Sequence, residues 1–320
     1  MKGDDLAARF EALDEPESDA EIVAAKPLPG TSMRIAKVAG GQPALVLVHN
    51  MPLQVFGTRL RHIAYEPTAR YSLANEASTV AVLHCRNADH LLRQYFFRVV
   101  AGLVAGLPAA PSFDEFDEAV RGTMALFDAL TAPGTSTLQG VWSELFLVLL
   151  ASDANRMIAN WHDSPNDKYD FAAPPHRLEV KSTIGQLRIH RFALEQLDVA
   201  EEGETLVASL CLRRDDTGKA VNDLIEAITP RLQPQYQRKL ERVVAQGLGQ
   251  SWRDATELRF DQEDAHRSLR YYLACAIPSV IPDAGVTAVK FDVNLAELAP
   301  VPLATLPSCP LFAALPPPHE

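Results

Sequence analysis

Residues 169–183 read YDFAAPPHRLEVKST: a short apolar run, a Pro174-Pro175 turn, then a strict alternation through Arg177-Leu178-Glu179-Val180-Lys181-Ser182-Thr183. Period-two alternation is the mark of a β-strand. Leu178 and Val180 belong to one face; Glu179, Lys181 and Thr183 belong to the other, with side chains two apart separated by about 7 Å. A carboxylate and an ammonium are thus presented side by side. The first can hold a hard cation, and the second can orient or polarise a water beside it. Tyr169–Ala173 reads as the preceding strand. An antiparallel hairpin across the two prolines would bring Asp170, nine residues before Glu179, next to it. Two carboxylates from adjacent strands satisfy what Mg²⁺ asks of a protein.

Upstream, Thr137–Asp153 reads as a helix, with Leu138, Val141, Leu145 and Leu149 on one face. Glu144 is the sole charged residue in Gly140–Leu150 and borders that apolar stripe. An ionised carboxylate there needs a metal, a lysine or a backbone donor to offset its desolvation. Arg156–Trp161 reads as a short strand or turn. Downstream, the spacing predicts a helix around Ile189–Leu197 and a strand over Thr205–Arg213. Helices are expected near Lys219–Ile228 and Pro234–Gln246, and strand-like runs at Glu257–Phe260, Ser268–Cys275 and Val286–Val293. Residues 137–214 therefore run α-β-β-β-α-β.

The first half has another rhythm. Residues 1–30 are polar and acidic and read as a loose arm or short helix. Strands are expected at Arg34–Val38, Ala44–His49, Arg59–Tyr65 and Thr79–Cys85, with a turn at Gly40-Gly41. Asn87 reads as the N-cap of a helix reaching Val104, and a second helix is expected from Ser112 to Leu130. The Pro133-Gly134 stretch between Thr131 and Ser136 is a linker. The expected organisation is an acidic arm (1–30), a smaller β-rich module with helices (31–131), a catalytic-type α/β domain (137–300) and a Pro-rich tail (301–320).

The 320 residues suffice for a sizeable core. No apolar run approaches the ~18 residues of a membrane span, and the acidic start is unlike a secretory signal. The expected location is cytoplasmic. Cys85, Cys211, Cys275 and Cys309 lie far apart without a Cys-x-x-Cys pair, so free, mostly buried thiols are expected. The net charge of −11 speaks against a nucleic-acid binder, but residues 1–22 hold eight acids against Lys2 and Arg9, leaving −5 for the rest. Between His176 and Arg191 the sign reverses: Arg177, Lys181, Arg188 and Arg191 face Glu179 alone. Local charge governs phosphate contact. Arg177, Arg188, His190 and Arg191 are the candidate phosphate contacts; a solvated helix start explains the last three nearly as well. Arg231, Arg238, Lys239 and Arg242 could track a backbone or form a solvated helix face. Trp142 and Trp161 read as packing residues.

Glu on a helix, Asp on a strand, Glu-x-Lys on the next strand, then helix and strand: this order resembles the PD-(D/E)XK nuclease superfamily. The stretches GVWSELFLVLLA, KYDFAAPPHRLEVKST and HRFALEQL are similar in particular to the PD-(D/E)XK motif proteins of prokaryotic defence and restriction islands. The likeness covers residues 137 to 214, and Tyr169 stands where the literal motif has proline. It implies a restriction-endonuclease-like αβββαβ core around a mixed sheet. It implies a Mg²⁺-dependent endodeoxyribonuclease, with Mn²⁺ able to substitute and DNA as partner. Asp170 and Glu179 would bind the metal, with the Val180 carbonyl and Glu144 adding to the set. Lys181 would position or activate the attacking water, and Gln196 would be the polar residue of the following helix. A homodimer would serve cutting of both strands. The alternative is a non-catalytic or dormant DNA-binding or assembly subunit of a multi-protein defence complex.

Overall fold

A computed structural model describes residues 3–52, 57–74, 76–86, 89–134, 136–164, 167–185, 187–197 and 203–318. The chain forms two compact units, Met1–Ala132 and Pro133–Glu320.

The first unit runs α1 (Gly3–Glu11), β1 (Glu21–Ala24), β2 (Arg34–Val38), β3 (Gln42–Val48), β4 (Thr58–Arg59), β5 (Ile63–Leu73), β6 (Glu76–Cys85), α2 (His90–Ala105) and α3 (Phe113–Ala129). Its sheet has the order β1-β2-β3-β6-β5-β4, and β1 also pairs in parallel with β5, so five strands close a ring. Ile22, Ala36, Val38, Ala44, Val46, Val80 and Val82 pack together in its core. The acidic segment is built into this unit. Leu6 and Phe10, one helical turn apart on α1, are both buried, and Phe10 meets Phe97 of α2. Residues 21–24 supply the strand that closes the ring. Asn87 lies outside the described residues; the α2 cap is Asp89, whose carboxylate accepts from Leu92 N. The helix expected from Ser112 is found as α3, where Ser112 and Glu115 form a capping box.

The second unit continues with α4 (Leu138–Leu150), α5 (Ala154–Asn160), β7 (Phe171–Ala173), β8 (His176–Ile184), β9 (Ile189–Ala193), β10 (Thr205–Leu212), β11 (Arg214–Lys219), α6 (Val221–Ile228), α7 (Pro234–Leu248), α8 (Gln262–Ser268), β12 (Arg270–Leu273), β13 (Lys290–Asn294) and α9 (Pro310–Ala314). The sheet order is β12-β10-β8-β7, with β8 and β10 parallel and the outer pairs antiparallel. The fold is therefore mixed α/β around a mixed sheet. β10 is covered on both faces, which is why TLVASLCL is a near-continuous apolar run. α4 packs on β8 and α6, and every residue from Val141 to Val148 is buried, as an all-round apolar helix requires. Gly203, at φ 84°, leads into β10; a Cβ there would overlap the Pro175 carbonyl, so the start of β10 can press against the hairpin turn.

Three expectations need correction. Residues 189–197 are not a helix: Ile189–Ala193 is β9, which leaves the main sheet to pair with β13, and only a 3₁₀ turn, Leu194–Leu197, follows. The second helix of the expected αβββαβ run is thus a strand and a 3₁₀ turn. Arg156–Trp161 is not a strand, because Asp153 caps a helix there by accepting from Arg156 N at 3.0 Å. Of Glu257–Phe260, only Phe260 bridges, to Arg214 and Lys219. The thiols also divide: Cys85 and Cys309 are buried, Cys211 is half-buried and Cys275 exposed. The Pro-rich tail folds back, with Tyr271 Oη donating to Pro316 O at 2.8 Å.

Candidate active site

The β7–β8 hairpin pairs Phe171 with Leu178, Ala172 with Arg177 and Ala173 with His176. One step further, Asp170 stands opposite Glu179, and its Oδ2 accepts from Val180 N at 2.6 Å. That bond uses the Val180 amide to hold the aspartate at the strand edge. On β8, Lys181 Nζ lies 2.7 Å from Glu179 Oε1. Gln196, on the 3₁₀ turn, ties the pair together: its Nε2 donates to Glu179 Oε1 at 2.6 Å, and its Oε1 accepts from Lys181 Nζ at 3.0 Å. Ala193 N donates to the same Oε1 at 3.1 Å, fixing the amide's orientation. The lysine head lies over Phe192, with Nζ 5.4 Å from the ring centre.

Glu144 reaches the cluster from α4 and is buried. Its Oε2 accepts from Trp161 Nε1 at 2.6 Å and stands 3.6 Å from His162 Nε2. Neither Trp161 nor His162 was recognised as a site residue in the sequence. The available signal was that a buried indole N–H needs an acceptor, but that acceptor, Glu144, lies seventeen residues away on another helix.

The electrostatics follow from crowding. Burial pushes the Asp170 carboxyl well above the usual carboxylate range, and the charges of Glu179 and Glu144 push it further; the Val180 N–H and Lys181 oppose this. Burial raises Glu179 as well, against the pull of Lys181 and Gln196. Glu179 Oε2 is buried and has no hydrogen-bond partner among the described residues. Glu179 and Asp170 thus share one ammonium while the Glu144 charge presses on both, and one buried oxygen is left over among the described residues. Hard oxygen donors with excess negative charge suit Mg²⁺ or Mn²⁺, which needs one or two carboxylates from the protein. Among the described residues, no three His, Cys, Asp or Glu side chains converge in a way that would hold a metal ion by themselves.

The candidate phosphate contacts fall elsewhere. Arg188 donates through Nη1 to Ser209 O at 2.9 Å and Oγ at 2.7 Å, and through Nη2 to Ser268 O. His190 is buried with Nε2 2.6 Å from Ser209 Oγ, and burial with the Arg188 and Lys181 charges lowers its pKa to about 4. Both are committed inside the fold, because β9 faces the sheet where a helix start would have faced solvent. Arg191 is exposed and pairs with Asp292 on β13 at 2.8 Å. Arg177 is half-buried, 5.6 Å from the Tyr169 ring. The second basic run is also engaged: Lys239 and Arg242 of α7 both pair with Asp163, and Arg231, ahead of α7, donates to Leu149 O and Ala151 O. Trp142 and Trp161 are buried, and Trp142 Nε1 donates to Lys219 O at 2.8 Å.

A mixed α/β unit with Asp opposite Glu-x-Lys on a strand hairpin, facing a helix glutamate, defines the class as PD-(D/E)XK-like. The chain belongs to the family described as "Putative PD-(D/E)XK family member (DUF4420)", whose model matches residues 8–296. No match was found among curated proteins or solved structures. No helix among the described residues is long and apolar enough to cross a membrane.

Proposed function

We propose that the chain is a Mg²⁺-dependent endodeoxyribonuclease of restriction or antiphage-defence type, with Mn²⁺ able to substitute, working on DNA in the cytoplasm. One observation carries this: Glu144, Asp170 and Glu179 crowd one another, Lys181 bonds Glu179, and a buried Glu179 oxygen has no hydrogen-bond partner among the described residues. Asp170 and Glu179 would hold the cation, with the Val180 carbonyl and Glu144 as further donors. The bound ion would acidify a water and neutralise charge building on the phosphate. Lys181 holds the attacking water by hydrogen bond, and Gln196 keeps Lys181 and Glu179 at their spacing. Water attacks phosphorus in line and the 3′ oxygen leaves. Cutting both strands calls for two such sites, hence a homodimer.

A dormant DNA-binding or assembly subunit of a multi-protein defence complex is the second reading. It is favoured by the closure of the Lys181–Gln196–Glu179 ring, which already occupies the groups that would greet water and metal. Plasmid DNA incubated with the protein and Mg²⁺ or Mn²⁺, with and without EDTA, separates the two. Nicking or linearisation that EDTA and Asp170→Ala abolish supports the nuclease. Intact plasmid under every metal condition rejects it in favour of the subunit.

A further inference from the structure

Trp161 and His162 sit between the two acids that the site brings from different elements. Trp161 forms an antiparallel bridge with Phe171, and their rings stack 6.0 Å apart at 13°. One residue on, His162 N donates to Asp170 O at 2.9 Å. The backbone of 161–162 therefore prolongs the sheet edge past β7 and is bonded to the aspartate's own peptide. From this segment both side chains address a single oxygen of Glu144: Trp161 Nε1 at 2.6 Å and His162 Nε2 at 3.6 Å from Oε2. The segment is pinned on its outer side, where Asp163 pairs with Lys239 and Arg242, and Lys239 donates to Ala159 O at 3.1 Å.

We propose that Trp161 and His162 form a bracket that fixes the Glu144 carboxylate relative to Asp170, and that as positioning residues they set the site's affinity for a divalent cation. This rests on the metal-dependent function proposed above. A short hydrogen bond from a neutral donor to a carboxylate is charge-assisted and strong. Spent on Oε2, it fixes the carboxylate's rotation and directs Oε1 independently of solvent. Contacts behind a metal-binding carboxylate typically govern affinity by about 10–100-fold.

The test is Mn²⁺ binding to the full chain, read from the electron paramagnetic resonance of the free ion. It compares wild type, Trp161→Phe, His162→Gln, Glu144→Gln and the Trp161→Phe/Glu144→Gln double variant. Phenylalanine keeps the stack on Phe171 and removes the donor. Trp161→Phe should weaken Mn²⁺ binding about 10–100-fold, and His162→Gln should weaken it less. The double variant should bind no more weakly than Glu144→Gln alone, because the bracket acts through that carboxylate. If Trp161→Phe fails to fold by circular dichroism, His162→Gln and its double with Glu144→Gln carry the same comparison. A tryptophan that only packs would lower the melting temperature and leave Mn²⁺ affinity unchanged; that result, or additive losses in the double variant, overturns the bracket alone. Wild-type protein that binds no Mn²⁺ overturns the metal-dependent function and the bracket with it.

Discussion

Each unit pairs a lysine with a glutamate and buries one member of the pair, and the two pairs differ in instructive ways. In the first unit Lys37 Nζ donates to Leu13 O at 2.8 Å and Glu15 Oε1 at 3.2 Å, and lies 4.9 Å from the Phe10 ring centre. Its partner Glu15 is mostly exposed, so the carboxylate keeps its water while the ammonium is fully served. In the second unit the glutamate is the deeper member: the Glu179 side chain is 5% exposed against 18% for Lys181. Two further carboxylates press on the pair, and one Glu179 oxygen lacks a partner among the described residues. The first arrangement is electrically finished and belongs to folding. The second carries unbalanced negative charge in a desolvated place, a condition that folding alone does not favour.

The largest contrast is expected in cleavage. Asp170→Ala and Lys181→Ala should each lower the plasmid-cutting rate by at least about a hundredfold, the scale of a lost metal ligand or water-positioning group. Lys37→Ala should leave that rate unchanged and lower the melting temperature by about 2–5 °C, as loss of one satisfied buried donor does. Equal rates for Lys181→Ala and wild type would erase the distinction between the two lysines.

Metal uptake should respond to pH. Asp170 and Glu179 both sit above the ordinary carboxylate range and must ionise to bind a cation. Mg²⁺ affinity should therefore climb as pH rises above the ordinary carboxylate range, by up to about tenfold per pH unit for each proton displaced. A flat profile in a calorimetric titration would contradict the crowding.

A smaller effect reads the same crowding without metal. With its native pKa raised, Asp170 binds more protons folded than unfolded from about pH 3.9 upward. Its contribution to stability therefore falls as pH rises through that window. Asp170→Asn keeps an acceptor for Val180 N and removes the charge, so in EDTA it should melt about 2–4 °C above wild type at pH 8, the shift produced by ~1 kcal/mol in a unit of this size. Near pH 4 the gain should vanish. The smallest effect separates two arginines on the β9 segment. Arg191→Ala breaks an exposed pair and should leave the melting temperature nearly unchanged. Arg188→Ala strips donors from Ser209 and Ser268 and should cost more.

Local patterns made the hairpin legible. The alternation of Arg177–Thr183 and the Pro174-Pro175 turn suffice to place Asp170 opposite Glu179, since both strands and their register lie within fifteen residues. Glu144 stood out because a lone charge in an apolar helix needs a partner. The segment IHRFALEQL was misread because it is helix-compatible in isolation, while its conformation is settled by β13, about a hundred residues away. That pairing also turned His190 and Arg188 inward, away from the expected phosphate role. Trp161 escaped notice for a similar reason: its acceptor lies on another helix, and only the three-dimensional arrangement brings the indole N–H to Glu144.

A Mn²⁺ titration of the full chain at about pH 8, above the carboxylates' ordinary range, puts the two glutamate–lysine pairs to the most direct test. Saturable binding should be present in wild type and Lys37→Ala and lost in Asp170→Ala and Glu179→Ala. Undiminished binding after both carboxylates are removed, or no binding to begin with, would contradict the assignment of the second pair to a metal site.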